Sequence, residues 1–558
     1  MSMLLNEDLA LCLRAAIERA QQAGALPAFD IPVVPVDRPK QAAHGDYASP
    51  VAMQLARLAR QAPLKIAEAV VAYLEKPAYI GAVEVLPPGY INMTLDPLWL
   101  ARQADVIRQA GEDYARLDMG GGRRVQVEYV SANPTGPLHM GSARNAVLGD
   151  AVANVLAAAG YQVQREYYVN DAGSRMQVFY ESLYAHYAQA LGLDEPVPAD
   201  GYLGHYMVTW GQQIAAQEGD RYLKLPREEG VASIGQRGLE IVLESIRGDL
   251  ASMGVVYDCW FSERSLYDSD LFTQVLDMLR QRGYIEEREG AIWFKATALG
   301  GDKDEVVVRS NGSPGYFASD IAYHYNKFVT RGFERVINVW GADHQGHVPR
   351  MKAMMRALGL DPERLTFIIY QLVTLRRGGE IVRLSKRTGD MISLREVLDE
   401  IGSDALRFFL LARSADSQMD LDLELAVKES DENPVFYVQY AHARIASILR
   451  KAMDLGLPMD EGDTSLLTSV PEQTLLRALL RLPEVVQQAA ADLAPHHLTY
   501  YAQELAGVFH GFYRDCRVVS SDPADREITL ARLKLVDAAR TVLARTLHLM
   551  GMNAPETM

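Results

Sequence analysis

The chain of 558 residues is too long for one ordinary domain, and length alone predicts about three. Its composition, 49% hydrophobic and 23% charged, excludes disordered, collagen-like and disulfide-scaffold classes. A formal net charge of −16 argues against a protein that coats nucleic acid indiscriminately, because such binders neutralise phosphates with surplus Lys and Arg. A polyanion held by local basic patches on an acidic body stays open.

The stretch from Met1 to Leu11 carries Glu7 and Asp8 where a signal peptide needs a basic end and an unbroken apolar run. No apolar run approaches the roughly 18 residues of a membrane span. A cytoplasmic protein with no membrane contact is the expectation. Cys12, Cys259 and Cys516 form no Cys-x-x-Cys pair, so they are expected to be buried, inert thiols rather than a zinc knuckle or a disulfide framework.

In chain order, helical patterns run over Leu9 to Ala23 and Val51 to Leu74, with a Pro-rich extended stretch, Ile31 to Pro39, between them. Residues 1–112 read as a small α+β module. Gly120-Gly121-Gly122 reads as a flexible lead into a second domain, 113–428. There β-branched runs at Val125 to Val130, Val163 to Val169, Arg335 to Trp340 and Phe367 to Thr374 alternate with helical stretches. That alternation predicts an α/β fold, a Rossmann-like, mainly parallel sheet flanked by helices. Leu193 to Gly204, rich in Pro, Gly and acidic residues, reads as a surface insertion. From 429 to 558 glycine thins out, and Tyr437 to Lys451, Gln473 to Leu493 and Ile528 to Met550 predict an all-α helical bundle. Arg514, Arg517, Arg526, Arg532, Lys534, Arg540 and Arg545 are either a basic patch or a solvated mixed-charge face.

The most informative segment is Ser131-Ala132-Asn133-Pro134-Thr135-Gly136-Pro137-Leu138-His139-Met140-Gly141-Ser142, between a strand ending at Val130 and an Ala-rich helix. A strand-to-helix turn in a parallel sheet lies at the carboxyl edge, where ligands bind, and the helix N-terminus offers unpaired N–H groups to phosphate. Gly141 permits close approach of a nucleotide, and His139 can donate to phosphate oxygens. No Lys-Ser or Lys-Thr follows a Gly-rich loop, so this is not a Walker A site. Further on stand Arg383-Leu384-Ser385-Lys386-Arg387, a basic loop, and Gly315-Tyr316-Phe317-Ala318-Ser319-Asp320, where Tyr316 and Asp320 share a face if a helix begins there. A carboxylate beside a phenol offers two-point bonding to a planar cation, although a cap and a core aromatic would use the same spacing. His344 and His347 with Asp343 could also be read as a metal cluster.

Taken together these motifs resemble the arginyl-tRNA synthetases, a class I family. The segment from Ser131 resembles the "HIGH" signature, with Ser142 in place of its second His, and Arg383 to Arg387 looks like the "KMSKS" loop, with Arg383 in place of its first Lys. His44-Gly45-Asp46-Tyr47-Ala48-Ser49 resembles the marker of an N-terminal module that touches the outer corner of tRNA. Asp404-Ala405-Leu406-Arg407 resembles the tetrad that names the family's anticodon-binding domain, and Tyr437 to Arg444 resembles that domain's opening helix.

The resemblance implies ATP-dependent activation of L-arginine and its transfer to the terminal adenosine of tRNA(Arg), with adenylate formation requiring bound tRNA. It implies catalytic roles for His139, Ser142 and Lys386, with ATP contacts from Pro137, His139, Gly141, Ser142, Ser385 and Lys386. Arginine would be held by Glu128, Ser131, Asn133, Ser142, Tyr316, Asp320 and His344, and unpaired bases by Tyr437, Tyr440 and Arg444, although an aromatic stripe of this kind also reads as core. ATP with Mg2+ enters as substrate, no tightly bound cofactor or metal is expected, and the chain is expected to act as a monomer. A cysteinyl enzyme would need a zinc-bound cysteine that this chain lacks the cluster to supply. A non-catalytic tRNA-binding relative is the other reading, motivated by Ser142 and Arg383.

Overall fold

A computed structural model describes residues 4–382 and 392–558. The first hundred or so residues form a helix, Leu5–Gln22, and a three-stranded antiparallel sheet in which Tyr90–Leu95 lies between Tyr47–Ser49 and Ile80–Leu86. The predicted continuous helix from Val51 is in fact two, Val51–Ala59 and Pro63–Ala72. Arg60 turns left-handed (φ 52°) between them, and Pro63 opens the second, where a missing N–H is harmless.

Five parallel strands build the central sheet: β1 (Arg124–Glu128), β2 (Gln162–Val169), β3 (Cys259–Ser262), β4 (Arg335–Gly341) and β5 (Leu365–Tyr370), in the order β5-β4-β1-β2-β3. The chain starts in the middle, steps outward through β2 and β3, then returns to the other side of β1. The order therefore reverses between β1 and β4, and the crevice beyond their carboxyl ends is where such sheets bind ligands. Register sets Asn338 beside Glu128, and Glu128 beside Glu166. The predicted strand Phe367 to Thr374 is split, since β5 ends at Tyr370 and Val373–Arg377 pairs instead with Met419–Asp422 in a separate sheet.

Helix α1 (Met140–Ala158) crosses from β1 to β2 and is buried almost all round, which explains its Ala-rich, stripe-free sequence. It presses on Tyr129 so closely that a Cβ at Gly149 would sit 2.1 Å from the ring's Cγ. The expected flexible lead at Gly120 to Gly122 is instead a tight packed turn: the Gly120 and Gly122 N–H groups donate to Ala159 and Gly160, and a Cβ at Gly120 would lie 2.5 Å from Gly160. Between β3 and β4 the chain inserts a helix, Leu271–Gln281, and an antiparallel sheet of Ile285–Arg288, Ala291–Phe294 and Glu305–Val308, whose Leu279 and Phe294 share a second core with Val336 of β4, Leu365 of β5 and Met354 of the helix Val348–Ala357. Helix α2 (Tyr316–Tyr325) leads from that insertion back to β4.

The C-terminal part is a helical bundle, Pro434–Asp454, Val470–Leu479, Leu482–Asp492, His496–Asp515 and Arg526–Leu549, so the predicted helix Gln473 to Leu493 breaks at Leu480 and Arg481. The N-terminal module docks on it through charge pairs: Arg38 to Glu484 (2.6 Å), Arg477 to Asp46 (2.7 Å) and Arg108 to Asp537 (2.8 Å). Four members of the candidate basic patch are committed internally. Arg532 pairs with Glu472, Lys534 with Asp105, Arg540 with Asp537, and Arg545 donates to the Tyr114 carbonyl. Cys516 is buried, but Cys12 and Cys259 are half-buried, against expectation. Among the described residues no helix is long and apolar enough to cross a membrane.

Candidate active site

The turn from β1 to α1 is strained and heavily supported. Val130 (φ 66°) and Ser131 (φ 43°) are both left-handed, a conformation that a β-branched residue adopts only when its surroundings impose it. Here Asn145 of α1 imposes it: its Oδ1 accepts the Val130 N–H (2.7 Å) while its Nδ2 donates to the Val339 carbonyl of β4 (2.9 Å). The Ser131 hydroxyl donates to Glu128 Oε1 (3.1 Å) and accepts the Tyr168 N–H (3.0 Å), and Asn133 Oδ1 accepts from Asn170 (3.0 Å). Ser131 and Asn133 are thus held between the carboxyl ends of β1 and β2, beside the switch-point crevice.

At the other end of the turn His139 caps α1 without a side-chain bond to the helix, leaving its imidazole exposed. Gly141 is exposed, and among the described residues a Cβ there would meet no atom within 4 Å, so they leave the first helical turn open on that side. Ser142 and Pro137 are half-buried beside it. The strand-like run Leu138 to Met140 pairs with residues 392–394: Leu394 donates to the Leu138 carbonyl (2.8 Å) and Met140 to that of Ile392 (3.3 Å). Lys386, Ser385 and Arg383 lie outside the described residues, as does the side chain of Tyr316.

Helix α2 does begin at Tyr316, which sets Asp320 one turn in. Burial, then the nearby carboxylates of Glu128 and Glu263, push the Asp320 carboxyl up to about 7. Among the described residues no side chain hydrogen-bonds it. Glu263, just beyond β3, is buried; its pKa is raised by burial against smaller opposing effects of the Ser319 and Tyr168 hydroxyls, and its Oε2 has no partner. A cavity of about 500 Å³ opens on this cluster, lined by Asn170, Glu263, Tyr267, Arg309 and Ser319 among others. Glu128, by contrast, is ion-paired to buried Lys327. His324 stays neutral, pushed down to about 3 by burial and Lys327, and holds the Asp320 carbonyl (2.8 Å) and Asn338 (3.2 Å).

His344 is exposed in the helical turn after β4, 5.9 Å from the Trp340 ring, and among the described residues no hydrogen bond joins it to the carboxylate cluster. Among the described residues no group of three His, Cys, Asp or Glu is arranged to hold a metal. In the bundle, Arg444 stacks over Tyr440 (4.6 Å) and Tyr513 (5.1 Å), and they line a separate 360 Å³ pocket with Arg450, Lys451 and the chain end; Tyr437 packs on His510. Glu263 and Lys327 escape a sequence reading, because neither sits in a motif and both reach the site only through the sheet's edge and α2.

A parallel sheet with a helix N-terminus open at its switch point, and a turn built on Ser131 and Asn133 beside it, defines a class I tRNA synthetase. Residues 109–430 match the family described as tRNA synthetases class I (R), catalytic domain; residues 7–95 match the arginyl tRNA synthetase N-terminal domain and 438–558 the DALR anticodon binding domain. The chain belongs to the arginyl-tRNA synthetase family. It is 53% identical over 546 residues to an arginine–tRNA ligase of Dehalococcoides mccartyi, covering 98% of each, and 50% identical over 550 residues to one of Heliobacterium modesticaldum, covering 97% of each. The structure superimposes on Thermus thermophilus arginyl-tRNA synthetase with a TM-score of 0.75 at 25% identity over all of both chains. The Asp404 to Arg407 tetrad precedes the matched anticodon-binding residues and falls within the catalytic match.

Proposed function

We propose that this chain activates L-arginine with ATP and transfers it to the 2′-hydroxyl of the terminal adenosine of tRNA(Arg). In the first step a carboxylate oxygen of arginine attacks the α-phosphorus of ATP, supplied as its Mg2+ complex, and pyrophosphate leaves. In the second the 2′-hydroxyl attacks the adenylate's carbonyl carbon, loses its proton, and AMP leaves. No protein nucleophile takes part. The chain's own contribution is alignment of two bound substrates and stabilisation of phosphate charge. His139, the open first turn of α1 at Gly141 and Ser142, and Lys386 take the phosphates, with Pro137 and Ser385 shaping the nucleotide site. Ser131 and Asn133 take the amino and carboxylate end of arginine, with His344 at the rim.

The observation that supports this reading best is a pair of neighbouring carboxyls whose pKa values are raised by burial, Asp320 and Glu263, neither in an ion pair among the described residues, with Glu263 lining the cavity. Burying such charge is unfavourable unless a cation arrives, and a guanidinium meets two carboxylates with paired, directional bonds. In the bundle, the pocket between Tyr440, Tyr513 and Arg444 suits a stacked, unpaired base. Pyrophosphate exchange with each amino acid, with and without tRNA, is the test. No arginine-dependent exchange in the presence of tRNA would sink the proposal.

A further inference from the structure

Behind the turn proposed to hold arginine lies a buried cation that no motif signals. Lys327 stands in a π-helical turn, Asn326–Thr330, continuing α2, and its side chain is 0% exposed. Single π-turns are rare and are often found at functional sites. The Lys327 ammonium bonds Glu128 Oε2, lies 3.4 Å from Asn338 Oδ1, and sits 4.1 Å over the Tyr323 ring. Glu128 uses its other oxygen to accept the Ser131 hydroxyl, so one unbroken chain runs from Lys327 through Glu128 to the left-handed residue Ser131.

The charges sort accordingly. Glu128 and Glu263 both raise the pKa of Asp320, and Lys327 pairs with Glu128 by direct contact. A buried carboxylate with an ammonium partner has no need of a second cation. Tyr323, on which Lys327 rests, is itself fixed by its hydroxyl to Glu166 (2.5 Å), which Arg331 also pairs, so the lysine has a rigid seat.

We propose that Lys327 is a positioning residue for the amino acid: by pairing with Glu128 it locks Ser131 in its strained turn and leaves Asp320 and Glu263 as the carboxylates that meet the guanidinium. This rests on the arginine-activating reading above. A lysine that merely stabilised the fold would not act through Ser131, and that difference is measurable. In tRNA-supplied pyrophosphate exchange, the full-length wild type first has to respond to arginine; if it does not, the functional reading itself fails. Given that response, Lys327→Met should raise the arginine KM tenfold or more while leaving the ATP KM within twofold. Adding Ser131→Ala to it should cost little beyond Ser131→Ala alone, because both break one chain of contacts. Should Lys327→Met not fold, Glu128→Gln/Lys327→Met removes the buried pair as a unit and should show the same raised arginine KM and the same lack of additivity with Ser131→Ala. An unchanged arginine KM, or penalties that multiply fully, would overturn the proposal.

Discussion

Asp320 is a carboxyl whose surroundings favour its protonated form. Its carboxyl, pushed up to about 7, is largely protonated below that pH, and a proton must leave before a guanidinium can bind as to a carboxylate. Arginine affinity should therefore fall about tenfold per unit as pH drops below 7 and level off above it. Arginine titrations by calorimetry between pH 5.5 and 8.5 should show this slope, with proton release on binding near pH 6, and Asp320→Asn should flatten it. The same substitution should raise the arginine KM about 30- to 1000-fold, the equivalent of ~2–4 kcal/mol of lost charge-assisted bonding; an unchanged KM would remove Asp320 from the guanidinium site. Stability should move the other way. Because the folded-state pKa lies above the ordinary carboxylate value, the folded protein retains a proton that the unfolded chain releases, and stability declines as pH rises from about 4 through 7. Asp320→Asn escapes that decline, so its thermal midpoint at pH 8 should exceed that of the wild type, a site bought at the expense of the fold.

At the scale of elements, two glycines of α1 make opposite predictions. Gly149→Ala forces a methyl into the Tyr129 ring, which stacks on Tyr257 at 4.6 Å and immediately precedes the strained Val130 turn. Overpacking of this kind costs about 1–3 kcal/mol, and a lower denaturation midpoint together with a raised arginine KM is expected. Gly141→Ala meets nothing within 4 Å among the described residues, so stability should stay within about 0.5 kcal/mol while kcat/KM for ATP falls, as expected where the space serves a ligand. The contrast reflects what the sequence makes legible. Strands β1 and β4 are readable because buried parallel strands are rich in β-branched residues, and β2 through its valines and tyrosines although more than half of it is not fully buried. The edge strand β3 is only Cys-Trp-Phe-Ser and half-buried throughout, too short for a period. The inserted sheet is hidden by exposed, charged Ile285–Arg288, although Glu289-Gly290, both at positive φ, is a recognisable two-residue hairpin turn. Within the site, Ser131, Asn133 and His139 share one local motif and can be read together, whereas Glu263 and Lys327 join only when three separate elements pack.

The whole molecule is tied together by Arg407, which is 0% exposed yet belongs to a tetrad that resembles an RNA-binding domain's signature. Its guanidinium bonds Asp150 of α1, the Met253 carbonyl (2.8 Å) and the Met550 carbonyl (2.8 Å), so α1, the end of the helix Arg227–Ser252 between β2 and β3, and the end of the bundle's last helix meet on one side chain. The fit is close enough that a Cβ on Gly551 would overlap it, at 2.0 Å from Nη2. Removing the cation leaves Asp150 with only the Asn154 amide (3.3 Å) and Arg165 (3.7 Å), and two buried carbonyls lose their donor. Breaking a buried pair in this way costs about 3–5 kcal/mol. Because the lost contacts cross between parts, the loss should appear as uncoupling more than as uniform weakening. The chain itself supplies the probes: four of the five tryptophans, Trp210, Trp260, Trp293 and Trp340, lie in the catalytic part, and Trp99 borders the bundle at Leu480 and Pro483, so fluorescence is weighted to the catalytic part while far-ultraviolet circular dichroism also follows the bundle. In urea the two signals should fall together for the wild type and separate for Arg407→Ala, with part of the helical signal lost at lower denaturant than the fluorescence change. Coincident transitions in the variant would mean that the bundle is held to the catalytic part by its other contacts and that Arg407 adds only to the local core.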